Sequence, residues 1–284
     1  MIISDGLANW LTSHGFGTVT STVAVGGGSI SDSYLLETSR GHSFFLKTHE
    51  NSPDGMYFSE GAGLKALAAT MVICVPSVYT VDDDYLLLEY FPPTEKQADY
   101  WQTLGTQLAL LHQNQATQFG FEIDNFCGLT PQPNPQMDNG YDFFAEHRLL
   151  YQARIAYDKK LIKGSLIDSL ERICHRLPDL IPEQPPSLIH GDLWSGNLFV
   201  GPEGQPALID PATYYGWAEA ELAMTTLFGG FDNAFYQSYI ETNPLENDWK
   251  QRLPLYNLYH LLNHLNLFGS GYLAQVQATI RMYT

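Results

Sequence analysis

Between two short apolar runs, the stretch LIHGDLWSGNLFV (Leu188 to Val200) holds His190, Asp192, Trp194, Ser195 and Asn197, punctuated by Gly191 and Gly196. A tight turn needs two residues, so a polar loop of this length is built to present side chains. Asp192 and Asn197 lie five residues apart, and a second aspartate, Asp210, closes the run ALID thirteen residues after Asn197. One carboxylate that can take a proton, followed by an amide oxygen and a carboxylate that can ligate a hard cation, is the equipment of magnesium-assisted phosphoryl transfer. Magnesium prefers few protein carboxylates and completes its shell with phosphate oxygens and water, so one Asp and one Asn suffice.

Further candidates precede this loop in chain order. In VAVGGGSISDSYLL, Gly26, Gly27 and Gly28, followed by Ser29, separate two strand-like runs, and a backbone without Cβ can bring its N–H groups close to a phosphate. Taken alone, such a run is a flexible hairpin turn. Lys47 in FFLKTH and Glu60, thirteen residues later in EGAGLKAL, are a strand lysine and a helix glutamate. Taken alone, Lys47 is a solvated edge charge. In protein kinases this pair holds the α and β phosphates, and the catalytic aspartate and metal-binding asparagine have the spacing of Asp192 and Asn197. Ordered together, these residues predict one site that uses ATP and magnesium. Asp192 is its base, Asn197 and Asp210 are its metal ligands, and the hinge at Glu89, Tyr90 and Phe91 meets the nucleobase.

The elements that must position these groups change character near residue 91. Before it, TVTSTVAV, SYLLETS, SFFLKTH, VPSVYTV and YLLLEYF alternate as short strands, with a helical pattern from Asp54 to Ala69. After it, long helical patterns cover Gln97 to His112, Tyr141 to Lys160, Leu166 to Leu177, Glu219 to Phe228 and Trp249 to Phe268. Leu188 to Val200 and Pro206 to Ile209 are strand-like exceptions. The expectation is an α+β, two-lobed protein-kinase-like fold. A β-rich lobe with one helix spans residues 1–91 and binds ATP; a helical lobe spans residues 92–284 and carries the catalytic loop, metal and acceptor. Asn125 to Asn139, rich in Pro, Asn and Gln, is expected as a surface loop between helices.

Charge and composition narrow the partners. The 284 residues carry a formal net charge of -17, with 14 Lys and Arg against 31 acids, which excludes a basic nucleic-acid face and favours cationic partners. The opening MIISDGLANWLTSHGF has no basic n-region or long apolar core, and Ala66 to Val81 contains Pro76 and is too short to span a bilayer. Cys74, Cys127 and Cys174 fit neither a disulfide framework nor a CxxC metal site. A cytoplasmic, membrane-free monomer is expected.

The acceptor class is constrained by the segment after Asp210. DPATYYGWAEAELAM re-enters helix within about ten residues, leaving no room for the activation segment of a protein kinase. Pro211 replaces the phenylalanine of a switching motif, and its fixed φ opposes flipping. HGDLWSGN, DPATYYGWAEAELAM, FGGF and RLPLYNLYHLLNHLNLFGSGY together resemble the fructosamine-3-kinase or ketosamine-3-kinase family, within the wider aminoglycoside phosphotransferase and choline kinase group. The match runs over nearly the whole chain. It implies phosphorylation of the 3-hydroxyl of ketosamines, free or on protein lysines, after which the adduct breaks down and frees the amine in a deglycation repair.

Under that resemblance Trp194 and Tyr214 contact the acceptor, the indole offering a π face to a sugar or protonated amine; the competing view makes Trp194 core. His190 packs the loop. Glu219 and Glu221 either attract the amine or complement a helix N-terminus. His260 and His264, four apart on a helix, lack a third ligand in sequence and are not read as a zinc pair. Family members often carry cysteine where this chain has Ser29, and Ser31 stands where a kinase loop has glycine. Two alternatives share the motif: an aminoglycoside or choline-type phosphotransferase, and a pseudokinase acting as a nucleotide-binding module, which would have lost one of the catalytic groups retained here.

Overall fold

The computed structural model describes residues 3–26, 32–49 and 51–284. Helix α1 (Asp5–Ser13) is capped by Ser4, whose hydroxyl accepts from the Leu7 amide. Five strands follow, β1 (Val19–Ala24), β2 (Asp32–Thr38), β3 (Ser43–Thr48), β4 (Val78–Asp82) and β5 (Tyr85–Glu89), with α2 (Met56–Ala69) between β3 and β4. They form one antiparallel sheet in the order β1-β2-β3-β5-β4.

Two-residue periodicity explains how the sheet is covered on both faces. Tyr85 and Leu87 of β5 join Phe44 and Leu46 of β3 in a cluster with Leu7 and Leu11 of α1, while Leu86 and Leu88 turn the other way onto Met56, Tyr57 and Leu64 of α2. YLLLE is therefore apolar at successive positions because each face has its own helix. The same parity carries Lys47, next to Leu46, to the face that holds α2.

The second lobe begins with α3 (Tyr100–His112) and a short hairpin, β6 (Asn125–Cys127) and β7 (Thr130–Gln132). Then come α4 (Gly140–Phe144), a π-helical turn over Ala145–Leu149, and α5 (Leu150–Asp158), so the predicted helix from Tyr141 to Lys160 is interrupted in its middle by a wider turn. Helices α6 (Gly164–His175) and α7 (Leu177–Leu180) lead to β8 (Ser187–Ile189). The catalytic-loop segment joins β8 to β9 (Leu198–Val200), which pairs with β10 (Pro206–Leu208), and β11 (Tyr214–Gly216) returns to pair with β8. Helices α8 (Ala218–Leu227), α9 (Asn233–Thr242), α10 (Trp249–Phe268) and α11 (Leu273–Tyr283) complete the lobe. Among the described residues, no helix is long and apolar enough to cross a membrane.

The structure corrects the expected surface loop at Asn125 to Asn139. Asn125, Gln132 and Asn134 are buried, since their amides satisfy main-chain groups of the neighbouring segments: Asn125 donates to the Thr213 carbonyl at 2.8 Å and Gln132 to the Ala212 carbonyl at 3.1 Å. Arg148, on the π-helical turn, is fully buried; it donates to Pro133 O and Asn134 Oδ1, and its guanidinium lies 3.9 Å from the Tyr214 ring centroid. The hairpin is thus a polar buttress under the segment that follows Asp210.

Helices α3 and α9 cross where Gly105 faces the main chain of Phe235. A Cβ at Gly105 would overlap the Phe235 carbonyl oxygen and crowd the Tyr239 amide. Helix propensity alone favours Gly105→Ala by about 1 kcal/mol. The crossing reverses the sign: overpacking against backbone should cost about 2 kcal/mol or more, read as a lower urea midpoint and Tm. A stabilised variant would show that the two helices do not meet at this glycine.

Candidate active site

The loop from His190 to Asn197 is held from below by Glu221 on α8. Glu221 is buried, and its carboxylate accepts from the His190 amide at 2.9 Å and the Gly191 amide at 2.7 Å. His112 Nε2 lies 3.0 Å from the same carboxylate, and the Tyr239 hydroxyl lies 2.7 Å from His112 Nδ1. A neutral imidazole that accepts from the tyrosine hydroxyl and donates to the glutamate satisfies all three. Burial would raise the Glu221 pKa, but the hydrogen bonds from His112 and from the His190 amide hold it below the ordinary value.

Gly191 has φ +84°, and a Cβ there would strike the Ala212 carbonyl, so glycine lets the two segments touch. The contact is sealed by the Ala212 amide donating to the His190 carbonyl at 2.9 Å. His190 is structural, as expected: Nε2 donates to Ile209 O at 2.8 Å and Nδ1 accepts from the Asp192 amide at 3.3 Å.

Above this foundation, Asn197 Nδ2 donates to the Asp192 carbonyl at 2.8 Å and to Asp192 Oδ2 at 3.2 Å, which leaves the amide oxygen as the atom that could ligate a cation. The Ile209 amide donates to Asn197 O, bringing the end of β10 beside the loop. Asp210 adopts φ +56°, an uncommon left-handed backbone for aspartate, enforced between β10 and Pro211. Its Oδ1 lies 3.0 Å from Lys47 Nζ, and Lys47 in turn contacts both Glu60 oxygens at 2.7 and 2.8 Å.

Burial would lower the Lys47 pKa, but the Asp210 and Glu60 carboxylates outweigh it and raise it, so the ammonium stays charged. Burial, then the Asp210 charge, push Asp192 up to about 7. Two carboxylates on one ammonium, with Asp192 close enough to feel the Asp210 charge, leave local negative charge that a divalent cation would offset. The donor set, one carboxylate oxygen and one amide oxygen with an open side, fits magnesium.

A cleft of about 420 Å³ opens beside Asp210, walled by Val25, Phe45, Leu88, Phe199 and Ile209 and bordered by Glu89, Tyr90 and Phe91. Flat apolar walls with a polar hinge suit a heteroaromatic base. Glu89 turns its carboxylate to Ser77, accepting from its amide and hydroxyl, and its own amide donates to the Ser77 carbonyl at 2.9 Å, so Glu89 borders the cleft with both groups engaged. Gly26 ends the described part of the glycine run at the mouth of β1, and Gly27, Gly28 and Ser29 lie outside the described residues.

On the opposite side of Asp192, Trp194 is half-buried; its indole folds over Gly196 and meets Phe228 edge to face at 5.6 Å. Phe228 continues to His264 at 4.9 Å, and His264 to Phe268 and Tyr272. Tyr214 is separated from this surface. It is buried behind Gly191, beneath the Arg148 guanidinium. Glu219 is closed to an amine as well, for it binds Arg252 through both oxygens and accepts from the Tyr256 hydroxyl at 3.1 Å.

Sequence alone did not single out Glu221 as the loop's anchor, nor Arg148, Gln132 and Cys127 beneath it. For Glu221 a signal exists, an acid followed by Leu222, Ala223 and Met224 on an inward-facing helix.

Comparison with known proteins agrees with this geometry. The family model described as fructosamine kinase matches residues 6–284. A candidate ketoamine kinase of Synechocystis is 43% identical over 266 residues, covering 91% of this chain and 88% of the relative. The chloroplastic protein-ribulosamine 3-kinase of Arabidopsis thaliana is 34% identical and covers 98% of this chain and 87% of its own. A crystal structure of a candidate fructosamine-3-kinase from Thermobifida fusca superposes with a TM-score of 0.88 at 30% identity, covering 98% of both chains. An aminoglycoside phosphotransferase, at a TM-score of 0.61 and 14% identity, shares the two-lobed protein-kinase-like fold alone. The chain belongs to the fructosamine kinase family.

Proposed function

We propose that this protein transfers the terminal phosphoryl group of ATP to the 3-hydroxyl of ketosamines, ribulosamine or fructosamine adducts of free amines or protein lysines. The phosphorylated adduct then breaks down and releases the amine, a deglycation repair. The family membership and the names of the relatives support the acceptor class. The observation that carries the reaction type is the meeting of Lys47 and Glu60 of the first lobe with Asp210 of the second, Asp210 lining the cleft and the Asp192–Asn197 pair standing in the neighbouring loop. We place the lobe boundary after Phe91, and read the protein as a cytoplasmic monomer.

Asp192 accepts the proton of the attacking hydroxyl, and the Asn197 amide orients its carboxylate. Lys47, held by Glu60, meets the phosphates, while the glycine run from Gly26 to Gly28 and Ser29 covers them. The base lies against the hinge at Glu89, Tyr90 and Phe91. Asn197 and Asp210 would hold magnesium, which supplies charge neutralisation on the phosphoryl oxygens. Trp194 floors the acceptor, and Tyr214, buried behind Gly191, packs beneath the catalytic loop.

Four outcomes test the reading. Asp192→Asn should lower kcat by about 100-fold or more with ATP affinity little changed, measured by coupled assay and nucleotide titration, since a positioned base contributes about that much. Retained turnover would remove Asp192 as the base. The base works deprotonated, and its pKa is raised to about 7 before a cation offsets Asp210, so kcat/KM should rise with pH along a limb at or below about pH 7. A limb centred well above that would assign the base elsewhere.

Trp194→Leu keeps apolar bulk and removes the π face. With ribulosyl-lysine as acceptor, kcat/KM should fall roughly tenfold, about 1.4 kcal/mol, while KM for ATP moves little. Early melting with unaltered kcat/KM would make Trp194 core packing. Kanamycin and choline in the same assay separate the ketosamine reading from the other phosphotransferases, because either one used better than ribulosyl-lysine overturns it.

A further inference from the structure

Behind Asp192, on the side away from Asn197, the fold assembles three groups that the phosphoryl-transfer reading leaves unused or half used. Cys127 ends β6, Asp192 stands in the loop after β8, and His260 lies at the middle of α10. One ligand atom from each lies within 4.8 Å of the other two. His260 Nδ1 faces Asp192 Oδ1 at 4.0 Å. His260 is 5% exposed, and this nitrogen has no hydrogen-bond partner. Leaving a buried nitrogen unpaired is unfavourable, and a group that engaged it would remove that cost.

His260 and His264 do not act as a pair. His264 Nδ1 bonds back to the His260 carbonyl at 2.8 Å and its ring joins Phe228, so the third ligand that sequence spacing lacks comes from a distant hairpin instead. The mounts are firm. Asn263, one turn of α10 along, donates to the Cys127 carbonyl at 3.1 Å, and Tyr259 bonds Gln132 on the paired strand.

We propose that Cys127, Asp192 and His260 form a cation site distinct from the magnesium site, selective for a thiophilic divalent ion such as zinc, and that its occupation blocks the base. One thiolate, one imidazole nitrogen and one carboxylate oxygen, with water as fourth ligand, is a tetrahedral zinc set. Zinc bonds of about 2.0 to 2.3 Å place neighbouring ligand atoms about 3.5 Å apart, so closing the site needs shifts of roughly an ångström from the present spacing. Binding displaces the Cys127 thiol proton to solvent and forms the sulfur–metal bond. Magnesium, which takes oxygen ligands, does not compete for the sulfur.

The ion would reach the site past Asp192, whose side chain is 19% exposed. Asp192 Oδ2 faces Asn197 while Oδ1 faces His260, so metal on the Oδ1 side takes the carboxylate out of proton transfer without dismantling the nucleotide contacts.

The test is zinc titration of the protein without acceptor, read by competition with a chromophoric chelator. Its outcome is therefore independent of whether the acceptor is a ketosamine. The parent should bind one equivalent in the presence of excess magnesium. Cys127→Ala and His260→Gln should each weaken zinc by about tenfold or more. Cobalt should give a thiolate charge-transfer band that Cys127→Ala abolishes. Phosphoryl transfer by Cys127→Ala should match the parent without zinc and resist zinc that inhibits the parent. If alanine impairs folding by melting curve, Cys127→Ser carries the same comparison with a near-isosteric side chain. No stoichiometric zinc on the parent, equal zinc affinity in the Cys127 variant, or a cobalt complex without the thiolate band would each overturn the site.

Discussion

Glu221 is a carboxylate closed off from water, and the catalytic loop hangs on it. Two main-chain amides of the loop and one imidazole converge on its oxygens, and that imidazole is oriented by Tyr239. Hydrogen bonds to a charged acceptor are roughly twice as strong as neutral ones, and the N-terminal half of α8 adds its dipole to the same charge. A buried carboxylate stripped of one partner costs about 3–5 kcal/mol. The loop, α3, α8 and α9 are therefore coupled: each element is stable in its place because the others satisfy the same charge. Asp192, Trp194 and Asn197 inherit their positions from that junction.

A second charge cluster joins the lobes. Lys47 sits on the sheet of the first lobe, Glu60 on its helix and Asp210 on the second lobe, and the ammonium touches both acids. The cluster holds the cleft at a width set by direct contact. With Pro211 after it and a left-handed backbone at its own position, Asp210 has little freedom to turn away. The site is assembled in the folded chain without a long activation segment, which suits a small acceptor better than a regulated docking platform.

Beneath the segment from Asp210 to Tyr214 lies a third layer, built almost wholly of amides and aromatic rings. Asn125, Gln132 and Asn134 interlock with each other and with Arg148, and two of them donate to the main-chain carbonyls of Thr213 and Ala212, just after Asp210. A satisfied polar network specifies one arrangement more sharply than interchangeable aliphatic contacts do. The same hairpin brings Cys127 to His260, so the buttress and the proposed zinc site are consequences of one piece of folding.

What the sequence determined by itself was local. Two-residue alternation put Lys47 on the face opposite Leu46, helical periodicity after residue 91 divided the lobes, and the spacing of Asp192, Asn197 and Asp210 announced the chemistry, because each depends on backbone geometry over a few residues. Where a polar residue goes was not legible in this way. Asn125 to Asn139 carries the composition of a solvated loop, and Glu221 that of a helix-start charge, yet Asn125, Gln132, Asn134 and Glu221 are buried. Burying a polar group is unfavourable unless remote chain supplies its partners, and those partners, Thr213, Arg148, His112 and the loop amides, come together only when the lobe packs. The position of Trp194 at the surface and of Tyr214 behind the loop was likewise decided by tertiary structure. The β8–β11 pairing buries Tyr214, and Phe228 meets the Trp194 indole edge to face while Trp194 stays half-buried.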